Sequence, residues 1–338
     1  MKAAVLHGIR DIRLDERPMP LASNGSVLLR VAAVGVCGSD LHSYLEGSTT
    51  GKAAIKPFVL GHELAGVVTP EIADTVALPA GTLVAVDPAV PCGKCEWCER
   101  GHTNLCPHVR FLGYAPNDGG MAEYVAVLSS SLHALPAGLD AADGVLLETL
   151  GVAIHAMDLA KPKLMETVAV LGCGPVGLLL QQVARLAGAS RVLAVDPLAY
   201  RARLAKELGA DDVFDTFAGV QAATGNRGAD LVLEATDSPL GFEHAAKACR
   251  IGGRVVMVGI PEGNQYTLSA AEARRKGLSI KFSRRMPEVY PRAIALAQSG
   301  RVTLRPLASH HFELARTGEA FALQAERADG IIKAIIHP

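Results

Sequence analysis

The sequence predicts an α/β protein of two domains, one mostly β with irregular loops and one a doubly wound parallel sheet. Three observations carry this. The chain has 338 residues, 49% of them hydrophobic and 20% charged, which exceeds one ordinary domain and suffices for more than one core. Its first part holds short β-branched runs punctuated by Gly and Pro, and after Pro136 strand-like and helix-like segments alternate, as βαβ units on a parallel sheet require.

Taken in order, residues 3–6, 27–34, 64–68, 82–86 and 122–127 read as mainly antiparallel strands. Residues 146–159 read as a helix. Strands at 167–171, 191–196, 230–235 and 254–259 then alternate with helices at 177–187, 199–208 and 242–249. The tail carries helices at 290–298 and 317–326 and a last strand at 331–337, expected to return to the first domain's sheet. The expected boundaries are 1–147 for the first domain, with a cysteine-rich lobe at 90–108, then 148–283 for the second domain and 284–338 for the returning segment.

Composition excludes several classes. A formal net charge of −1 and a pI near 6.8 give no basic field for nucleic acid or an anionic membrane surface. The apolar runs are strand length, too short to span a bilayer. The opening residues, from Met1 into a strand pattern broken by Arg10-Asp11-Ile12-Arg13, lack the long apolar region of a signal peptide, so a cytoplasmic location is expected. Seven cysteines are an odd number for a disulfide framework and favour metal or catalytic thiols.

Cys92, Cys95 and Cys98 follow one another with two residues between each pair, and Cys106 follows after seven more. Four thiolates on short loops fit tetrahedral zinc with no open position, hence a structural ion; an iron–sulfur cluster is the other chemical option. Strand 167–171 runs into Gly172-Cys173-Gly174-Pro175-Val176-Gly177 and a helix, with Asp196 nineteen residues after the last glycine. In that setting the glycines permit a tight turn and close backbone approach to a pyrophosphate, and Asp196 can accept from ribose hydroxyls. A carboxylate there repels a 2′-phosphate and favours NAD over NADP, while Arg201 and Arg203 stand nearby.

Behind the strand at 27–34, Cys37, Ser39, Asp40 and His42 sit on a glycine-flanked loop, and Gly61-His62-Glu63 follows twenty-five residues after Cys37. Cys37 with His62 suits a catalytic zinc, which takes three protein ligands and keeps a position open. With the lobe's thiols removed from consideration, Cys173 and Cys249 belong to the nucleotide domain, so the third ligand is a carboxylate or a histidine. Glu63 and Glu148 are the candidates; Glu148 lies in the apolar run Val145-Leu146-Leu147-Glu148-Thr149-Leu150, where a carboxylate needs a partner.

Together these motifs resemble the zinc-dependent medium-chain alcohol and polyol dehydrogenases over nearly the whole chain, and Glu148-Thr149-Leu150-Gly151-Val152-Ala153-Ile154-His155 resembles the sorbitol dehydrogenase branch. The resemblance implies a GroES-like catalytic domain and a Rossmann domain. It also implies two zinc ions per chain, NAD as cofactor, and a homodimer or homotetramer. For the residues it implies Cys37 and His62 on the catalytic zinc with Glu63 and Glu148 near it, and Asp40 behind His62. Ser39 and His42 would be a proton relay, and Arg285 a contact for substrate hydroxyls. Two departures stand out: Met286 with Arg284 beside Arg285, where a tyrosine is expected, and Val68-Thr69-Pro70-Glu71, where a valine-glycine turn is usual.

The expected activity is oxidation of a secondary hydroxyl on a polyol or sugar-derived alcohol, a small-molecule partner, with hydride passing to NAD. Within the family the alternatives are threonine, sugar-acid and simple alcohol dehydrogenases, since Arg284 and Arg285 can pair with a carboxylate. Outside it the alternative is a redox-silent nucleotide-binding protein. The strand pattern at 278–282 is expected to pair across a two-fold axis.

Overall fold

The computed structural model describes residues 1–22, 25–47 and 57–338. The chain divides into two units, Met1–Glu148 with Tyr290–Pro338, and Thr149–Val289. Residues 284–289 therefore pack with the second unit, whereas the sequence pattern starts the returning segment at 284.

In the first unit a seven-stranded sheet is built around Ser26–Gly35, which pairs antiparallel with Glu63–Val67, Tyr124–Leu128 and the last strand, Ala334–His337. From Ser26 to Ala33 the side chains alternate between core and periphery, the period-two pattern of an antiparallel strand, and Val34 and Gly35 are then both buried. Ala334–His337 also runs parallel to His310–Glu313, so this strand lies inside the sheet. Leu29, Val31, Leu64, Phe321 and Ile336 meet in its core.

The second unit holds a six-stranded parallel sheet in the order Asp212–Phe214, Arg191–Val195, Thr167–Leu171, Ala229–Glu234, Cys249–Met257, Ser279–Phe282. Thr167–Leu171, Arg191–Val195 and Ala229–Glu234 are almost entirely buried, as strands covered on both faces are. The strand order reverses between Thr167–Leu171 and Ala229–Glu234, the switch point where such sheets bind ligands.

Several elements differ from the sequence pattern. Ser39, Asp40 and His42, expected on a loop, lie in the helix Gly38–Glu46, whose first turn is closed by Asp40 accepting from the Cys37 N–H. The helix expected at 146–159 begins earlier and spans Ala141–Ala160, because Asp140 and Asp143 cap each other's backbone N–H groups at 2.9 and 3.1 Å. At Val68-Thr69-Pro70-Glu71 there is a helix, Pro70–Val76, started by Pro70 in its first turn, where the missing proline N–H has no cost.

Candidate active site

Cys37 stands where Ser26–Gly35 gives way to the helix Gly38–Glu46, as the residue capping that helix. Its backbone N–H donates to Asp40 Oδ2 at 3.1 Å, while Asp40 Oδ1 lies 3.4 Å from His62 Nδ1. One carboxylate thus ties the thiol's loop to the imidazole and turns the other ring nitrogen away from itself. His62 follows Gly61, whose φ of +97° suits glycine, and a Cβ there would lie 2.7 Å from Val34. Burial would lower the His62 pKa, but the Asp40 carboxylate and the Cys37 thiol outweigh it and hold the ring well above its usual value.

Glu63 is 1% exposed. Its Oε2 packs over Gly35, where a Cβ would come within 2.5 Å of it, and forms an ion pair with Lys333 Nζ. Among the described residues, the ligand atoms of Cys37, His62 and Glu63 lie within 4.8 Å of one another. A thiol, an imidazole and a carboxylate at that spacing suit zinc with a position to spare. Glu148 does not join this set. It is buried, and burial together with Glu63 pushes its carboxyl up to about 7 against the opposing pull of His62 and Lys333; it shares the cluster's field without its spacing.

Ser39 and His42 occupy the helix Gly38–Glu46, with His42 Nδ1 2.8 Å from Glu46 Oε1 one turn on. In the lobe, Cys92, Cys95, Cys98 and Cys106 also bring their sulfurs within 4.8 Å. Cys95 Sγ is 3.5 Å from Cys98 Sγ and 3.8 Å from Cys106 Sγ, too far for disulfides and close enough for four thiolates around one ion. Backbone N–H donation at Lys94 pulls Cys92 down to about 6. Burial and the neighbouring thiols push Cys98 up to about 11.

In the second unit Gly172 adopts φ +89° at the end of Thr167–Leu171, and Gly174 caps the helix Pro175–Leu186, with Pro175 and Val176 in its first turn. Gly177 packs so tightly on the turn that a Cβ would fall 1.7 Å from the Gly172 carbonyl oxygen. Asp196 is 4% exposed; its Oδ2 accepts from Cys173 N at 2.7 Å and its Oδ1 from Leu198 N at 2.9 Å. The aspartate expected to meet a ribose therefore also braces the loop. Arg201 Nη1 lies 4.0 Å from Asp196 Oδ2 and 3.8 Å from a Cβ built on Gly174. Its buried Nε has no partner among the described residues. Arg285 belongs to this unit, with left-handed backbone at φ +51°. Beside it Met286 is buried against Gly151.

Residues not singled out from sequence support the first cluster. Besides Lys333, Gln324 Nε2 donates to Val36 O at 2.8 Å and its Oε1 accepts from Ala334 N at 2.7 Å. Tyr290 donates to Val86 O at 2.7 Å and stacks on His133 at 4.5 Å. The available signal was Lys333 alone within Ile331-Ile332-Lys333-Ala334-Ile335-Ile336, a cation whose burial demands a partner.

Comparison with known proteins accords with this architecture. Residues 23–137 match the alcohol dehydrogenase GroES-like domain and residues 175–299 the zinc-binding dehydrogenase domain. Sorbitol dehydrogenase of Bacillus subtilis is 33% identical over 343 aligned residues, covering 100% of this chain and 97% of the relative. A zinc-binding dehydrogenase from Sinorhizobium meliloti 1021 bound to NADP superposes with a TM-score of 0.88 at 30% identity, over 100% of this chain and 99% of that one. An alcohol dehydrogenase from Escherichia coli CFT073 complexed with NADH gives 0.88 at 28% identity, again over 100% and 99%. The chain belongs to the zinc-dependent medium-chain alcohol and polyol dehydrogenases. Within them it falls in the sorbitol dehydrogenase-like branch.

Proposed function

We propose that this chain oxidises a secondary hydroxyl of a polyol or sugar-derived alcohol and passes the hydrogen as hydride to NAD. The observation that carries the proposal is the convergence of Cys37, His62 and Glu63 within ligand distance beside the buried Glu148, together with the sorbitol dehydrogenase relatives.

Cys37, His62 and Glu63 would hold a catalytic zinc, and Cys92, Cys95, Cys98 and Cys106 a structural one, giving two per chain. When bound, the catalytic ion supplies Lewis acidity that lowers the pKa of a substrate hydroxyl. Asp40 keeps His62 oriented toward the ion. Ser39 and His42 carry the proton away, and the Glu46 carboxylate at 2.8 Å fixes the His42 ring. Glu148, whose carboxyl is pushed upward by burial and the nearby Glu63, is suited to exchange a proton at the site.

For the coenzyme, the Gly172, Gly174 and Gly177 backbone with Pro175 and Val176 would cradle the pyrophosphate, and Asp196 would accept from the ribose. That carboxylate favours NAD, while Arg201, with its unpartnered Nε, gives a 2′-phosphate a counter-charge; one solved relative carries NADP and another NADH. Arg285 is assigned to substrate hydroxyls. A sugar-acid or threonine substrate is the second reading, favoured by the doubled charge of Arg284 and Arg285.

We place the protein in the cytoplasm as a homodimer or homotetramer. Cys173 and Cys249, the two cysteines outside the proposed metal sites, are buried free thiols, which supports a reducing compartment. Among the described residues no helix is long and apolar enough to cross a membrane. The strand Ser279–Phe282 is the edge of its sheet, with Phe282 exposed, a surface suited to pairing with a second copy. The test is a panel of polyols, sugar acids and threonine, each with NAD and NADP, followed by reduced coenzyme formation. Turnover of sorbitol-like polyols with NAD is expected; turnover of threonine alone would refute the polyol assignment.

A further inference from the structure

The cysteine lobe stands on a very short stem. Ala89–Val90 and Arg110–Phe111 pair antiparallel through two residue pairs, Ala89 with Phe111 and Val90 with Arg110, and Cys92 to Cys106 lie in the loop between them. At the lobe side the Cys92 N–H donates to Cys106 Sγ at 3.4 Å, and at the other end the Leu112 N–H donates to Pro88 O at 3.0 Å. A two-stranded ribbon of this length is not stable by itself, so the loop it closes must hold it in register. The stem ends on Phe111, whose ring centroid lies 5.2 Å from that of His62 with the planes tilted by 55°, a spacing at which ring pairs attract. The residues that follow grip the main chain leading to His62. Gly119 N–H donates to Val59 O at 2.8 Å, Met121 N–H to Leu60 O at 3.0 Å and Gly120 N–H to Gly61 O at 2.8 Å, while a Cβ on Gly113 would meet the Gly61 backbone at 2.8 Å.

From this geometry we infer that Phe111 is a positioning residue for His62, and that the four-cysteine lobe sets through its stem where Phe111 stands, so that the lobe steadies the active-site imidazole as well as its own loop; the inference rests on the two proposed zinc sites. Asp40 and the Cys37 thiol act on the His62 ring through its nitrogens. Contacts there leave the ring free to rock about the line that joins them, and a second ring packed beside it opposes that motion. Groups that orient a metal-binding histidine without touching the ion govern how firmly the ion is held. An ion held by four side chains of one loop fixes that loop's fold. Loss of a lobe thiol therefore loosens the stem, releases Phe111 from its register and frees the imidazole.

The test uses zinc-loaded full-length protein and follows zinc transfer to a chromogenic chelator, with NADH titration as the control. The active-site ion is the release phase that Cys37→Ser lacks. Phe111→Leu keeps apolar bulk without the ring and is expected to speed that phase by about tenfold while NADH affinity stays unchanged; Phe111→Tyr keeps the ring and is expected to restore the wild-type rate. Cys95→Ser is expected to keep the active-site ion but release it about tenfold faster. Joined to Phe111→Leu it should add nothing further, because both changes break one linkage. A wild-type rate in Phe111→Leu or in Cys95→Ser overturns the inference. So do a Phe111→Tyr variant as fast as Phe111→Leu, and effects that multiply in the double variant, since the lobe then acts only on general stability. If Cys95→Ser does not fold, Val90→Gly, which weakens the stem and spares the thiols, takes its place in the cycle. Zinc content separates this from the reading beneath it. If Cys37→Ser retains every zinc the wild type holds, the metal centre itself is misassigned; if it loses one and Phe111→Leu changes nothing, only the role of Phe111 and the lobe falls.

Discussion

Two neighbouring glycines separate what the nucleotide loop does for the fold from what it does for a ligand. A Cβ on Gly177 would lie 1.7 Å from the Gly172 carbonyl oxygen, whereas real contacts of this kind do not fall below 3.0 Å; the helix must therefore retreat by 3.0 − 1.7 = 1.3 Å at a point where the neighbour is backbone. Overpacking of this kind costs about 1–3 kcal/mol, which for a unit of this size lowers the melting midpoint by about 3–9 °C. A Cβ on Gly174 meets only Arg201 Nη1, at 3.8 Å, and the residue's φ of −72° suits any side chain. Gly174→Ala should leave the melting point of the ligand-free protein nearly unchanged, yet place a methyl group where the pyrophosphate approaches the helix, weakening NADH by about tenfold or more, or about 1.4 kcal/mol. Thermal melts of the ligand-free variants and fluorescence titrations with NADH measure both quantities. Wild-type NADH affinity in Gly174→Ala would refute the assignment of this loop to the coenzyme, and an unchanged melt in Gly177→Ala would refute the packing argument.

Other outcomes follow from particular contacts. Asp40→Asn keeps the shape but removes the charge that holds His62, and should cut turnover or zinc retention by about 10–100-fold, read by kinetics and metal analysis. Metal analysis of the purified chain should return about two zinc per chain, and Cys95→Ser should lose one together with a lower melting midpoint while leaving the other in place. For Asp230, burial raises the pKa but the bonds from Arg227, the Thr167 N–H and Arg250 outweigh it and hold the carboxyl at about 2. A folded pKa below the ordinary 3.8 means stability is present above about pH 4 and is lost as pH falls from about 4 towards 2. Asp230→Asn should cost about 1–2 kcal/mol at pH 7 after allowance for solvent screening, with the gap in denaturant midpoints closing over that window; a gap independent of pH contradicts the ion-pair account.

What could be read from sequence was what is local in sequence. The parallel sheet was visible because its central strands, Thr167–Leu171, Arg191–Val195 and Ala229–Glu234, are mostly apolar runs followed by helices, whereas Asp212–Phe214 is too short to stand out. The lobe's cysteines span only Cys92 to Cys106, and Gly172 through Gly177 is one turn. Cys37 and His62 are farther apart, but strands flank both and their residue types are distinctive. Lys333 was missed because its contact to Glu63 crosses 270 residues, and its strand looks like any buried strand with one lysine. Gln324 was missed for the same reason, since nothing local marks an amide that joins Val36 to Ala334. Glu148 was offered as a ligand from its apolar setting, yet burial shows only that it needs company; its distance from the other ligands depends on how the helix Ala141–Ala160 meets the sheet. The early start of that helix was readable in Asp140 and Asp143, a reciprocal cap made from two aspartates rather than the commoner serine and glutamate pair.

The placement of Ala334–His337 between Ser26–Gly35 and His310–Glu313 has a consequence for biosynthesis. The ribosome releases Thr149–Val289 as one uninterrupted stretch, able to collapse on its own contacts, while the sheet begun by the first hundred residues waits for a strand that follows that unit. Cys37, His62 and Glu63 are translated early, but the ammonium that pairs with Glu63 follows 270 residues later, so this ion pair cannot form until the intervening unit has been made.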